Sequence, residues 1–169
     1  IMPHISNMFK LTYCYTYNYM SLLIIYSSTS GNTEYTVDVL EKHLQEASDM
    51  EVKVQRVEES KPENMKDCDI LMFACGTWNS VREGQLSPGF IKFTKQAQNF
   101  DLGGKHTCVI GLGDDRYFYT CKSTAHLMKF AREIGGKNLL PPLPIVNDPY
   151  GQEDKITKWG DKLLSALEK

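Results

Sequence analysis

Two short apolar runs constrain the fold of this chain more than anything else in it. Leu22 to Tyr26 and Ile70 to Ala74 have no polar break, the pattern of parallel strands buried on both faces. The longest strongly apolar run, Ile70 to Cys75, is far below the ~20 residues needed to cross a bilayer, so no transmembrane helix is expected.

Helical spacing fills the intervals. From Thr33 to about Glu46, Val37, Leu40 and Leu44 share one face. Glu51 to Arg56 alternates like an edge strand, and Ser87 followed by Pro88 reads as an N-cap and first helical position ahead of Phe90 and Ile91. His106 to Ile110 is a fourth strand; the next helix repeats Ala125, Met128, Ala131 and Ile134 before a stop at Gly135-Gly136. Leu143 to Val146 is a short fifth strand, and the last helix, from about Gln152, carries Ile156, Trp159, Leu163 and Leu167. Five strands alternating with helices predict a doubly wound α/β domain, a parallel sheet with helices on both faces. The 169 residues, 41% hydrophobic, suffice for one core, with no repeat or linker.

Residues 1–19 stand apart, with four tyrosines (Tyr13, Tyr15, Tyr17, Tyr19) and one charge, Lys10. They are expected to be a poorly ordered extension or a mis-called start, with an added edge strand as the alternative, and residues 20–169 to form the domain. Nineteen Lys plus Arg against 21 Asp plus Glu leave no basic field for nucleic acid. The five cysteines (Cys14, Cys68, Cys75, Cys108, Cys121) form no C-x-x-C and sit mostly in or beside apolar runs, as reduced packing thiols in a cytoplasmic protein do.

In a doubly wound sheet, ligands bind beyond the carboxyl ends of the strands. Ser27-Ser28-Thr29-Ser30-Gly31-Asn32-Thr33 follows the first strand and opens a helix, where free backbone N–H groups favour an anion. The loop has neither the lysine nor the spacing of a nucleoside-triphosphate site, nor G-x-G-x-x-G; hydroxyls and amides without a cation suit one enclosed phosphate. Cys75-Gly76-Thr77-Trp78-Asn79 follows the third strand and Gly111-Leu112-Gly113-Asp114-Asp115-Arg116-Tyr117 the fourth. Two aromatic residues from separate loops, Trp78 and Tyr117, imply a flat ligand.

On these residues the chain resembles the flavodoxins, small electron carriers that bind FMN. The motif T/S-x-T/S-G-N-T stands here as Ser28-Thr29-Ser30-Gly31-Asn32-Thr33, followed by Glu34-Tyr35; Thr77-Trp78-Asn79 matches the inner flavin loop and Gly113-Asp114-Asp115-Arg116-Tyr117 the outer one. The likeness covers residues 20–169 and, lacking a long insertion near the fifth strand, points to the short-chain subgroup. It implies strand order 2-1-3-4-5. It further implies that Ser28 to Thr33 bind the FMN phosphate, that Thr77, beside Gly76, helps to hold the ribityl chain, and that Trp78 and Tyr117 sandwich the isoalloxazine ring. Backbone groups around Gly113, Asp114 and Cys121 would meet the pyrimidine edge, and the Asn79 peptide would turn over on reduction to accept from the flavin N5–H, asparagine being tolerant of positive φ.

The resemblance implies a low-potential carrier shuttling between a stabilised neutral semiquinone and the hydroquinone, linking a reductase to acceptor enzymes through transient contacts, as a monomer, away from membranes and nucleic acid. A lone Asp114 carboxylate ~10 Å from the ring at effective dielectric ~20 would penalise an anionic flavin by ~1.7 kcal/mol, or roughly 70 mV. Two departures bear on docking and potential: Lys10 being the sole charge of the first 19 residues, residues 20–169 carry a net of only −3, and Arg82 stands where acids are common in the family. An NAD(P)H-dependent quinone or flavin reductase of the same fold is the alternative, though the longer loops of a nicotinamide pocket are not evident. A phosphoreceiver domain would need an Asp at the end of the third strand, where Cys75-Gly76 stands, and none of the four histidines has a loop Ser or Cys at a triad spacing.

Overall fold

A computed structural model describes residues 20–79 and 82–168. The expectations for residues 1–19, including Cys14, lie outside the described residues. The strands are β1 (Ser21–Ser27), β2 (Glu51–Arg56), β3 (Ile70–Gly76), β4 (His106–Gly113), β5 (Lys137–Asn138) and β6 (Leu143–Val146). The α-helices are α1 (Asn32–Ala47), α2 (Pro88–Gln96), α3 (Ser123–Glu133) and α4 (Glu153–Leu167). Two 3₁₀ turns, Val57–Glu59 and Pro62–Lys66, join β2 to β3.

All pairings within the sheet are parallel, in the order β2-β1-β3-β4-β5, the order that the resemblance implies. The far edge comes in two pieces. β5 pairs with His106 and Thr107 at the start of β4, and β6 pairs with Ile110 to Gly113 at its end. Pro141 and Pro142 lie in the gap, where two missing N–H groups cannot continue a ladder. The unbroken apolar runs have their predicted cause: every residue from Leu22 to Ser27 and from Ile70 to Cys75 is buried. β2, paired among the described residues only with β1, keeps Glu51 and Lys53 exposed.

Two cores flank the sheet. On one face α1 and α4 bring Val37, Leu40, Leu44, Ile156, Trp159 and Leu163 against Ile24, Met72 and Ile110. On the other, α2 and α3 bring Phe90, Phe93, Leu127 and Phe130 against Ile25, Phe73 and Val109. The predicted α3 stripe is corrected: Ala125 is exposed and Met128 half-buried, while Leu127, Phe130, Ala131 and Ile134 are buried. A strict three-residue repeat drifts around a helix of 3.6 residues per turn, and the i, i+3, i+4, i+7 set is the one that stays facing the sheet. For the same reason Phe93, not Ile91, is the companion of Phe90 in the core; Ile91 is 37% exposed. The helix ends match their signals. The Ser87 hydroxyl accepts from the Phe90 N–H at 3.3 Å, and α3 closes with Gly135 and Gly136 donating to the carbonyls of Arg132 and Ala131.

Among the described residues no helix is long and apolar enough to cross a membrane. Cys75 and Cys108 are buried packing residues whose thiols burial pushes up to about 11 and about 12. Phe73 is fully buried, with its ring centroid 6.2 Å from that of Phe90 and 5.4 Å from that of Phe130. Phe73→Ala is therefore expected to lower apoprotein stability by about 3–5 kcal/mol, measured by urea unfolding.

Candidate functional site

Parallel register brings the strand ends to one edge. Ser27 pairs with Cys75, Gly76 with Leu112 and Gly113 with Val146. The loops that leave these ends enclose a cavity of about 830 Å³. Thr29, Ser30, Asn32, Thr33, Gly76, Thr77, Trp78, Asn79, Gly113, Asp114 and Tyr117, all predicted, line it together. Ser28, Gly31 and Cys121, also predicted, do not.

These three residues sit just behind the walls. Gly31 is the N-cap of α1 at φ +92°, a left-handed conformation that an L side chain would strain, and α1 has no side-chain cap. Its first backbone N–H groups are thus left for another acceptor. The Ser28 hydroxyl is buried with no hydrogen-bond partner among the described residues. Cys121, at φ +52°, is packed against β4: a Cβ added to Gly113 would come within 2.2 Å of the Cys121 nitrogen, so only glycine permits this approach. The Cys121 thiol lies 3.3 Å from the Ile145 carbonyl oxygen, and burial raises its pKa.

The inner loop is braced from two sides. Trp78 and Gln85 exchange backbone hydrogen bonds, and the Asn79 side-chain oxygen accepts from the Gly84 N–H at 2.8 Å. Asn79 is not at positive φ; among the described residues only Cys121 and Asn147 are the non-glycines in that region. The Thr77 hydroxyl lies 3.1 Å from that of Ser123, itself bonded to the Cys75 carbonyl, and accepts from the Ser123 N–H at 3.2 Å. Its hydrogen-bonding capacity thus goes largely to holding the loop on the start of α3. Arg82 is exposed.

The outer loop holds an ion pair that sequence reading did not foresee. Arg116 grips Asp114 through its Nε, 2.9 Å from each carboxylate oxygen, and through Nη2, while the Arg116 N–H donates to Asp114 at 2.9 Å. The lone-carboxylate picture therefore overstates the field, because a cation beside the charge leaves mainly a dipole. Tyr117, a cavity wall, is 40% exposed, and its neighbour Phe118 is 85% exposed.

Reasoning from the loops after β1, β3 and β4 missed the loop after β6. Asn147, at φ +65°, and Asp148 line the cavity, as do Ser27, Leu112, Asp115 and Arg116. Asn147 ties two loops together: its N–H donates to the Gly113 carbonyl at 2.7 Å, and its side chain exchanges hydrogen bonds with Asp115. The signal was present, since Asn147-Asp148-Pro149 is a turn sequence directly after a strand. Beyond it the Tyr35 hydroxyl, at the start of α1, donates to Glu153, and its ring lies 4.2 Å from that of Tyr150.

The Arg116 hydrogen bonds hold the Asp114 carboxyl down at about 2. With its folded value below the unfolded one, this group favours the folded state above the ordinary carboxylate range, and that contribution disappears as pH falls through about 2. In a carbon-13 NMR titration Asp114 is expected to have a midpoint near 2, rising toward the ordinary 3.8 in Arg116→Ala.

Comparison with known proteins places this geometry. A family model described as Flavodoxin matches residues 24–159. The chain is 31% identical to the probable flavodoxin 2 of Bacillus subtilis over 79% of its own length and 87% of that protein. It is also 31% identical to the flavodoxin of Maridesulfovibrio salexigens over 86% of its length and 97% of that protein. Among solved structures, oxidised flavodoxin 2 from Bacillus cereus superimposes with a TM-score of 0.79 at 27% identity, covering 88% of this chain and 98% of that one. The chain belongs to the flavodoxin family and is an FMN-binding electron-transfer protein rather than an enzyme.

Proposed function

We propose that FMN occupies the cavity at the carboxyl edge of the sheet and that the protein passes single electrons between transient redox partners: a reductase as donor and acceptor enzymes downstream. The observation that carries this reading is the convergence, on one cavity, of an uncapped helix N-terminus and two aromatic walls from separate loops. Thr29, Ser30, Asn32 and Thr33, with the first amides of α1, hold the phosphate, and the partnerless Ser28 hydroxyl fits the demand of a phosphate for many neutral donors. Trp78 and Tyr117 flank the ring, and backbone groups of Gly113 and Asp114 meet its pyrimidine edge. Cys121 acts from behind by shaping Gly113. Gly76 and Thr77 carry the inner loop past the ribityl chain, and Asn79 presents its peptide group to the ring.

Bound FMN supplies the one-electron chemistry; the chain supplies position, exclusion of water and the field. Low-potential behaviour then rests on the aromatic walls and on Asp115 and Asp148, because Arg116 offsets Asp114. We further assign the protein to the cytoplasm, as a monomer, in keeping with its unpaired thiols Cys68, Cys75, Cys108 and Cys121.

Reconstitution tests the reading: apoprotein titrated with FMN should quench flavin fluorescence at one equivalent and turn yellow, and failure to bind at micromolar concentration would refute it. Trp78→Ala should raise the FMN dissociation constant by about three- to tenfold through loss of ring stacking, whereas Phe118→Ala, outside the cavity lining, should change it less than about twofold. Equal effects of the two variants would contradict the sandwich. Arg82→Glu should lower the potential of the second one-electron step by on the order of 20 mV at low salt, read by potentiometric titration.

A further inference from the structure

The proposed phosphate seat has an acidic neighbour. Glu34 lies in the first turn of α1, one residue beyond Thr33, and Glu58 follows the end of β2. An acid at a helix N-terminus interacts with the same positive end that an incoming anion would use. A phosphate ester in this seat would therefore meet Glu34 as a like charge unless that carboxylate is neutralised.

Arg56 is placed to do so. It ends β2, paired with Tyr26 of β1, and so points the last side chain of the edge strand at the first loop. Its Nη2 donates to the Ser28 carbonyl at 2.7 Å. Its Nη1 stands 3.6 Å from Glu34 and its Nε 3.7 Å from Glu58, while its guanidinium carbon lies 5.4 Å from the centroid of the Tyr26 ring. The Tyr26 hydroxyl donates to the other Glu34 oxygen at 2.8 Å. A planar fork that stacks on a ring and addresses three acceptors is a task for which arginine is suited and lysine is not. Arg56 itself is outside the cavity lining, so it acts through the loop and through Glu34.

We infer that Arg56 is a positioning residue that selects for the phosphorylated flavin: it fixes the Ser28 turn from behind and offsets the Glu34 charge, so that a seat of neutral donors accepts a phosphate ester. This inference rests on the placement of the phosphate given above. It makes a distinction that a purely structural role would not, because riboflavin carries the same ring and ribityl chain without the phosphate.

The test measures dissociation constants of FMN and riboflavin for the apoprotein by fluorescence titration. Wild type should bind FMN more tightly than riboflavin; if it does not, the phosphate placement is wrong and this inference falls with it. Arg56→Met should weaken FMN by about tenfold while changing riboflavin less than about twofold, and adding Glu34→Gln to that variant should recover most of the loss. Equal weakening of both flavins, no weakening of FMN, or no recovery would overturn the inference. Should Arg56→Met fail to fold, Glu34→Gln alone decides: FMN should bind about two- to fivefold more tightly with riboflavin unchanged, and unchanged or weaker FMN binding overturns it.

Discussion

The site depends on one constraint, the parallel hydrogen-bonded register of β1, β3 and β4. These strands are dry on both faces, so their polar continuations can emerge only at their ends, and parallel pairing puts all the carboxyl ends on one edge. Gly113 tightens that edge further. Its missing side chain lets the Cys121 backbone close against β4, which turns the outer loop back over the cavity. The walls of the cavity are thus fixed by strand pairing, and loop residues need only decorate them.

Two arginines near the cavity are each held by carboxylates. Arg116 meets Asp114 in the outer loop, and Arg56 meets Glu34 and Glu58 behind the first loop. Neither guanidinium is a free cation, in accord with the proposed phosphate seat of amides and hydroxyls. The exposed pairs are screened by solvent and contribute little to stability; what they shape is the local field. With Asp115 and Asp148 also on its lining, the rim of the cavity carries more acid than base, and Phe118, outside that lining, is a conspicuous exposed apolar side chain.

Much of the fold and of the site was legible in advance, and each failure has a physical cause. The apolar runs, the alternation of β2 and the Ser87 cap each report a local preference that the structure keeps. Eleven of the predicted residues meet at one cavity because the motif loops follow directly on strands. The α3 stripe was misplaced because a strict three-residue repeat drifts off the face that Leu127, Phe130, Ala131 and Ile134 bury. The Asp114–Arg116 pair and the bracing role of Asn147 were missed because each depends on side-chain directions or on contacts between loops remote in sequence.

What the sequence by itself determined is the order and type of the elements, the glycine and hydroxyl chemistry of the first loop, and the presence of an indole and a phenol beyond two strands. All of these follow from local backbone preference and from the need to bury apolar runs. Only the tertiary structure decided which of those groups face the cavity, which stand behind it, and which charges are spent on one another. Arg56 illustrates the difference: 28 residues from Ser28 along the chain, it reaches that residue's carbonyl because parallel pairing of β1 and β2 sets their ends side by side.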